Sequence, residues 1–200
     1  MGKSIKNIVC LTLITLVAGL ALGYVYEITK DPIAQMEENT RLAAYRSVFP
    51  EADGFDEIAE DDISAALAKV PEDGGCDIDS AVSAKDASGN NIGYVINVTT
   101  HEGYGGDISI SMGIDNEGTV KGIEILKISE TAGLGMKAKE SRFKDQFAEK
   151  KVAQFSYTKT GASADFEIDA ISGATITTKA VTNAVNAGLA FYGNLGGAGK

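Results

Sequence analysis

Ile108-Ser109-Ile110-Ser111-Met112-Gly113-Ile114, then Asp115-Asn116-Glu117-Gly118, then Val120 to Ile128, is the stretch that decides the fold. Apolar residues occupy every second position from Ile108 to Ile114, which is the period of a strand with one buried face. The Asp-Asn-Glu-Gly cluster is a turn, because Asp and Asn bond their own backbone and Gly accepts a positive φ. Strands joined by so short a turn run antiparallel. Just upstream, Ala81 to Ala87 and Ile92 to Thr100 flank Ser88-Gly89-Asn90-Asn91, a second hairpin signal. The spacing predicts an antiparallel meander buried on one face.

Helical patterns lie on both sides of this meander. Phe143 and Phe147, four apart among charges, predict an amphipathic helix from about Lys137 to Lys150. Ile176, Ala180, Val181, Ala184, Val185 and Leu189 predict a C-terminal helix that ends near Gly193, followed by a loose Gly-rich tail at 194–200. On the N-terminal side, Asp31-Pro32 reads as a helix start, with Asp as N-cap and Pro at the first helical position. Ile33, Met36, Leu42, Tyr45, Val48 and Phe49 follow at helical spacing up to Pro50. A shorter helical pattern covers Asp61 to Val70 and is closed by Pro71 and Gly74-Gly75. Residues 31–80 hold 14 acids against three bases, which reads as a solvated connecting surface, with a cation-attracting or partner-docking face as the alternative. The expected fold is therefore α+β, with an antiparallel sheet and flanking helices. The expected parts are a membrane anchor at 1–27, a helical acidic connecting part at 28–80, a domain core at 81–193 and a flexible tail at 194–200.

The anchor follows from the run Ile8 to Tyr26, 19 residues without a charge. As a helix it spans roughly 28 Å, about the hydrocarbon thickness of a bilayer. Tyr24 and Tyr26 sit at its far end, where aromatic rings favour the headgroup region. Lys3 and Lys6 precede it, so the N-terminus is expected in the cytoplasm and the rest of the chain outside. A cleaved export signal would have a shorter apolar stretch and a small-x-small site, for which Ala18, Ala21 and Gly23 are weak candidates. The full span length favours a retained single-pass helix, and both readings export the domain.

Charge and ligand counts narrow the function. Of 200 residues, 18 are Lys or Arg and 28 are Asp or Glu, for a net charge of −10. Residues 27–200 alone carry −12. Nucleic-acid binders need basic surface to replace counterions, so that class is excluded. With only Cys10, Cys76 and His101 there is no disulfide framework, no Cys/His zinc site and no four-cysteine iron–sulfur cluster within the chain. His101 reads as structural or solvent-exposed. Cys76 reads as a passive thiol, with intermolecular pairing as the sharper alternative.

Chemistry points to Asp169-Ala170-Ile171-Ser172-Gly173-Ala174-Thr175-Ile176-Thr177. Here an extended stretch containing Phe166 and Ile168 passes into the C-terminal helix. Small residues let a ligand approach the backbone, and free N–H groups at a helix start favour a phosphate. The same residues also fit a plain structural role, with Ser172 or Thr175 as N-cap and Gly173-Ala174 packing closely.

The order of residues also matches the flavinylation pattern Asp-x-x-(Ser/Thr)-Gly-Ala-(Thr/Ser). Average residue usage gives a chance match roughly once in a thousand chains of this length, so the match carries weight. Glu130-Thr131-Ala132-Gly133-Leu134-Gly135 resembles the Glu-Thr-Pro-Gly-Leu-Gly loop of the same family, with Ala132 in place of Pro. Gly103-Tyr104-Gly105-Gly106 resembles its Gly-Tyr-Gly-Gly element. Together with an exported domain behind one apolar helix, the chain resembles the G subunit of the Rnf electron transport complex. It is also similar to the C subunit of the Na⁺-translocating NADH:quinone oxidoreductase.

The resemblance implies covalent FMN, joined through a phosphoester to Thr175 by a Mg²⁺-dependent flavin transferase that uses FAD. It implies that Asp169, Ser172, Gly173 and Ala174 are read by that transferase, that Glu130, Thr131, Leu134 and Gly135 line the flavin, and that Tyr104 lies nearby. It further implies an electron-relay subunit of an ion-translocating ferredoxin:NAD⁺ oxidoreductase, with other membrane subunits of the complex as partners. Two alternatives are a stand-alone membrane-tethered flavoprotein and a tethered binding module without a redox cofactor. No general base, nucleophile–His pair or metal cluster is legible, and one uncharged helix offers no ion pathway of its own.

Overall fold

The structure is a computed structural model that describes residues 2–68 and 75–195. The chain forms two compact units, Met1–Thr40 and Arg41–Lys200. Helix α1 (Gly2–Val48) supplies the first unit and, in its last turns, the first residues of the second. It contains a stretch long and apolar enough to cross a membrane, none of which is buried. Its leucines illustrate this, with Leu20 69% and Leu22 72% exposed. The helix start expected at Asp31-Pro32 does not occur, because Pro32 lies inside α1. Proline there withholds an N–H from the carbonyl of Ile28, an exposed residue whose orphaned oxygen water can satisfy, so the turns on both sides persist.

The second unit is built on a five-stranded antiparallel sheet in chain order: β1 (Gly54–Glu57), β2 (Cys76–Lys85), β3 (Asn91–Thr100), β4 (Ile108–Asp115) and β5 (Val120–Lys127). The strands of both hairpins read from the sequence are present, and β2 begins earlier than Ala81. At the β2–β3 turn the Asp86 carboxylate accepts the N–H groups of Ser88 and Asn90, and this bonding, led by the Asn90 side chain, holds its carboxyl below the usual range. The acidic stretch contributes strand β1 at the sheet edge and helix α2 (Glu60–Leu67), whose Ala66 is buried in the main core. The end of the helical pattern at Val70, its Pro71 and Gly74 terminators, and tail residues 196–200 lie outside the described residues.

The meander is not buried on one face alone, as its alternation predicted: each sheet face has its own cover, because the end of α1 packs on the face away from α4. Helix α4 (Thr175–Asn194) lies on one face and packs Ala180, Val181, Ala184 and Val185 into the cluster with Ile96, Val98, Ile110 and Met112. On the other face Tyr45, Val48 and Phe49 cluster with Val82, Ala84 and Val95. That side also carries a polar group of residues. Asn97 donates to the Tyr45 hydroxyl at 2.5 Å and to Ser80 at 2.8 Å, and accepts from Ser111 at 2.5 Å, so the buried amide is satisfied.

The single amphipathic helix expected over Lys137–Lys150 is broken. A 3₁₀ turn at Gly135–Lys139, the four-residue helix α3 (Ser141–Lys144) and another 3₁₀ turn at Asp145–Phe147 replace it. Glu140 and Ala148 adopt extended backbone between and after these pieces. The cause is tertiary. Phe143, Phe147 and Phe155 stack edge-on in the core, with centroid distances of 5.6 and 5.1 Å, and Lys150 must be extended to bridge Val120. Beyond it, β6 (Ser156–Thr158) and β7 (Glu167–Asp169) form a short parallel pair that leads into α4.

Candidate functional site

Three separated segments meet at the start of α4. They enclose a cleft of about 590 Å³ lined by Tyr104, by Glu130, Thr131, Leu134 and Gly135, and by residues Gly173 to Thr177. That volume lies within the range of small-molecule sites, ~300–1,000 Å³.

The helix start is shaped by Thr178, which is fully buried. Its hydroxyl accepts the Ile171 N–H at 3.0 Å and donates to the Ala174 carbonyl at 3.0 Å. This curls residues 171–174 into a turn, closed by the Ala174 N–H donating to the Ile171 carbonyl at 2.9 Å. Gly173 takes a φ of 76°, which a side chain would resist, and a Cβ there would stand 3.1 Å from Leu134. The N-cap position is Ala174, with no side-chain cap bond. The structural alternative in which Ser172 or Thr175 caps the helix therefore fails. The first-turn N–H groups have no intrahelical partner and point, with the helix dipole, towards the cleft end. Thr175 is half-buried at this position.

The loop after β5 forms the second wall. The Thr131 carbonyl accepts the N–H groups of Leu134 and Met136, so the loop curls over Gly133 at φ 77°. Glu130 is buried, and its carboxylate accepts the Tyr104 N–H at 2.7 Å. Gly135 has no room for a side chain, because a Cβ would stand 2.6 Å from the Thr177 hydroxyl and 2.7 Å from Glu130. The cleft rim is apolar, with the large side chains of Tyr104, Leu134 and Ile176 exposed. An uncapped helix start under an exposed apolar rim suits a ligand with an anionic end and a flat apolar body.

Eight of the ten residues singled out in the sequence line this cleft; Asp169 and Ser172 do not. Both are exposed on the approach to α4. Asp169 accepts the Ala162 N–H at 2.5 Å, and its own N–H donates to Gln146 at 2.6 Å. Ile176 and Thr177 also line the cleft, although the motifs alone do not single them out. Their place beside Thr175 in the first helical turn is the signal that could have found them.

The Tyr104 loop is tied at its base. The His101 ring lies between Asp107 at 2.9 Å and Asp77 at 3.0 Å. Hydrogen bonds to Asp107 and then Asp77 push its pKa up to about 9. Glu102 is bonded to Lys179 and Asn183, in that order of influence, and its carboxyl is held below the usual range. Among the described residues no group of three or more His, Cys, Asp or Glu is placed to hold a metal ion.

Residues 103–190 match the FMN-binding domain family. The G subunit of the Na⁺-translocating ferredoxin:NAD⁺ oxidoreductase complex of Acetobacterium woodii is 33% identical over 190 residues, covering 92% of this chain and 89% of that protein. The G subunit of the ion-translocating oxidoreductase complex of Methanosarcina acetivorans is 31% identical over 182 residues, covering 90% of each. The crystal structure of Shewanella oneidensis NqrC shares the fold with a TM-score of 0.54 at 15% identity, over 76% of this chain and 85% of that one.

Proposed function

The chain belongs to the family of G subunits of ion-translocating oxidoreductase complexes, and from that premise we propose that it relays electrons through FMN bound covalently to Thr175. It is a flavoprotein subunit of an electron-transport complex and a membrane-anchored protein. The finer reading is a ferredoxin:NAD⁺ oxidoreductase of the Rnf type, with the N-terminus in the cytoplasm, the FMN-binding unit on the opposite side, and other membrane subunits as the electron donor and acceptor.

The observation that carries the reading is the convergence of Tyr104, Glu130–Gly135 and Gly173–Thr177 on one cleft at an uncapped helix start. These residues fit FMN. The first-turn N–H groups of α4 suit its phosphate, and the rim of Tyr104, Leu134 and Ile176 suits its ring. FMN supplies the one- and two-electron chemistry; the protein holds and orients it. Thr175 is the attachment point, its oxygen replacing AMP on the FMN phosphate of FAD while the hydroxyl proton leaves with the released AMP or solvent. The exposed Asp169 and Ser172 stand outside the cleft, where a Mg²⁺-dependent flavin transferase would read them. A covalent link also keeps the cofactor from being lost to the outside medium, where free FMN is dilute.

The test is a denaturing gel of the protein made in a host with the transferase, viewed for flavin fluorescence, together with an intact mass. The wild type should fluoresce and carry one FMN adduct. Thr175→Ala should lose both, with an unchanged circular dichroism spectrum and melting temperature. A wild-type band without flavin overturns the reading.

A further inference from the structure

The loop that brings Tyr104 to the cleft is held at three points. His101 clamps its base between Asp77 and Asp107. The Tyr104 N–H donates to Glu130 on the neighbouring loop. The third tie runs to α4, where the Glu102 carboxylate accepts from Lys179 Nζ at 2.8 Å and from Asn183 Nδ2 at 2.5 Å. Lys179 and Asn183 follow Thr175 by four and eight residues, so all three lie along one side of the helix. None of the three bridge residues lines the cleft. They connect the segment carrying Tyr104 to the helix carrying Thr175, two residues away from Tyr104 and about one and two turns beyond Thr175.

We infer that Glu102 is a positioning residue for the cleft, its bridge to Lys179 and Asn183 setting the separation of the Tyr104 loop from the first turn of α4. This rests on the reading of the cleft as the FMN site. An ion pair with a second bond from a neutral amide to the same carboxylate is geometrically restrictive in a way that a single surface ion pair is not. Removing it leaves the His101 clamp and the Glu130 bond in place, so the loop should stay folded and loosen only against α4.

Hydrogen exchange on full-length Thr175→Ala protein in detergent reads loop order without any flavin present. Adding Glu102→Ala should speed exchange over residues 101–107 about tenfold and leave β3 and β4 unchanged. The charge-swapped pair Glu102→Lys with Lys179→Glu should restore slow exchange. In flavin-loaded protein, where a flavin in this cleft would stand within quenching reach of Tyr104, Glu102→Ala should lengthen the fluorescence lifetime and the swapped pair should shorten it again. Unchanged loop exchange, a uniform rise across β3 and β4, or a loosened loop with an unchanged lifetime would each overturn the inference. An unflavinylated wild type would instead break the reading of the site and leave the exchange result to judge the bridge.

Discussion

Helices α1 and α4 are both rich in aliphatic residues, yet they occupy opposite environments. In α1 the side chains from Ile8 to Tyr26 are exposed throughout. In α4, Ala180, Val181, Ala184, Val185 and Phe191 are buried. Aliphatic content alone does not distinguish them; its distribution around the helix does. Apolar residues on every side need a solvent that is apolar on every side, which a bilayer supplies. A single apolar stripe interrupted by Thr, Asn and Lys needs only a sheet face.

The sharpest way to break this contrast is to delete the exposed apolar part of α1, upstream of the turns that pack on the sheet. Removing residues 2–30 should move the protein from the membrane fraction to the soluble fraction while the remaining unit melts at the same temperature. Retention in washed membranes would show that the second unit carries its own membrane attachment.

Glycines offer a matched pair of smaller size. A Cβ at Gly188 would collide with Met112 Cε and touch Val98, whereas one at Gly19 meets nothing. Gly188→Leu should cost about 3 kcal/mol in chemical denaturation through overpacking. Gly19→Leu should leave the domain's stability unchanged. Equal effects would mean that α4 can slide on the sheet.

Threonines sharpen the same comparison. Thr15 bonds back to Leu11 and Thr12 within an exposed helix, while Thr178 ties the buried turn before α4. Thr178→Ala should cost about 1–2 kcal/mol, because the buried Ile171 N–H loses its partner. It should also slow the proposed flavin attachment at Thr175, whereas Thr15→Ala should change neither.

The smallest effect concerns the clamp beneath the Tyr104 loop. His101 has a folded pKa raised to about 9 from an ordinary 6.5. Its contribution to stability is therefore complete below about pH 6.5 and is lost as pH rises through about 9. The melting temperature should fall slightly over that window, and His101→Gln should flatten the change. A melting temperature that rises over the same window in wild type alone would contradict the clamp.

Much of the site was legible because its chemistry sits in short contiguous motifs. Gly173-Ala174-Thr175, Glu130 to Gly135 and Tyr104 each announce a turn or a helix start by local residue type. The ties that assemble them were not legible. Glu102 meets Asn183 across 81 residues, and no local pattern encodes such a pair. The same holds for Phe147 and Phe155, whose packing broke a helix that their surroundings favoured.

The sequence by itself determined the elements whose periodicity is local: an uncharged membrane-length run, the alternating strands of the meander, the amphipathic α4 and the turn chemistry between them. Tertiary structure alone decided that β1 joins the sheet edge, that the 135–147 segment breaks into short turns, and that three distant motifs close on one cleft. The physical reason is that turn chemistry and hydrophobic period are properties of neighbours in the chain. Core packing and charge pairing are properties of neighbours in space, and they overrule local preference wherever the two disagree.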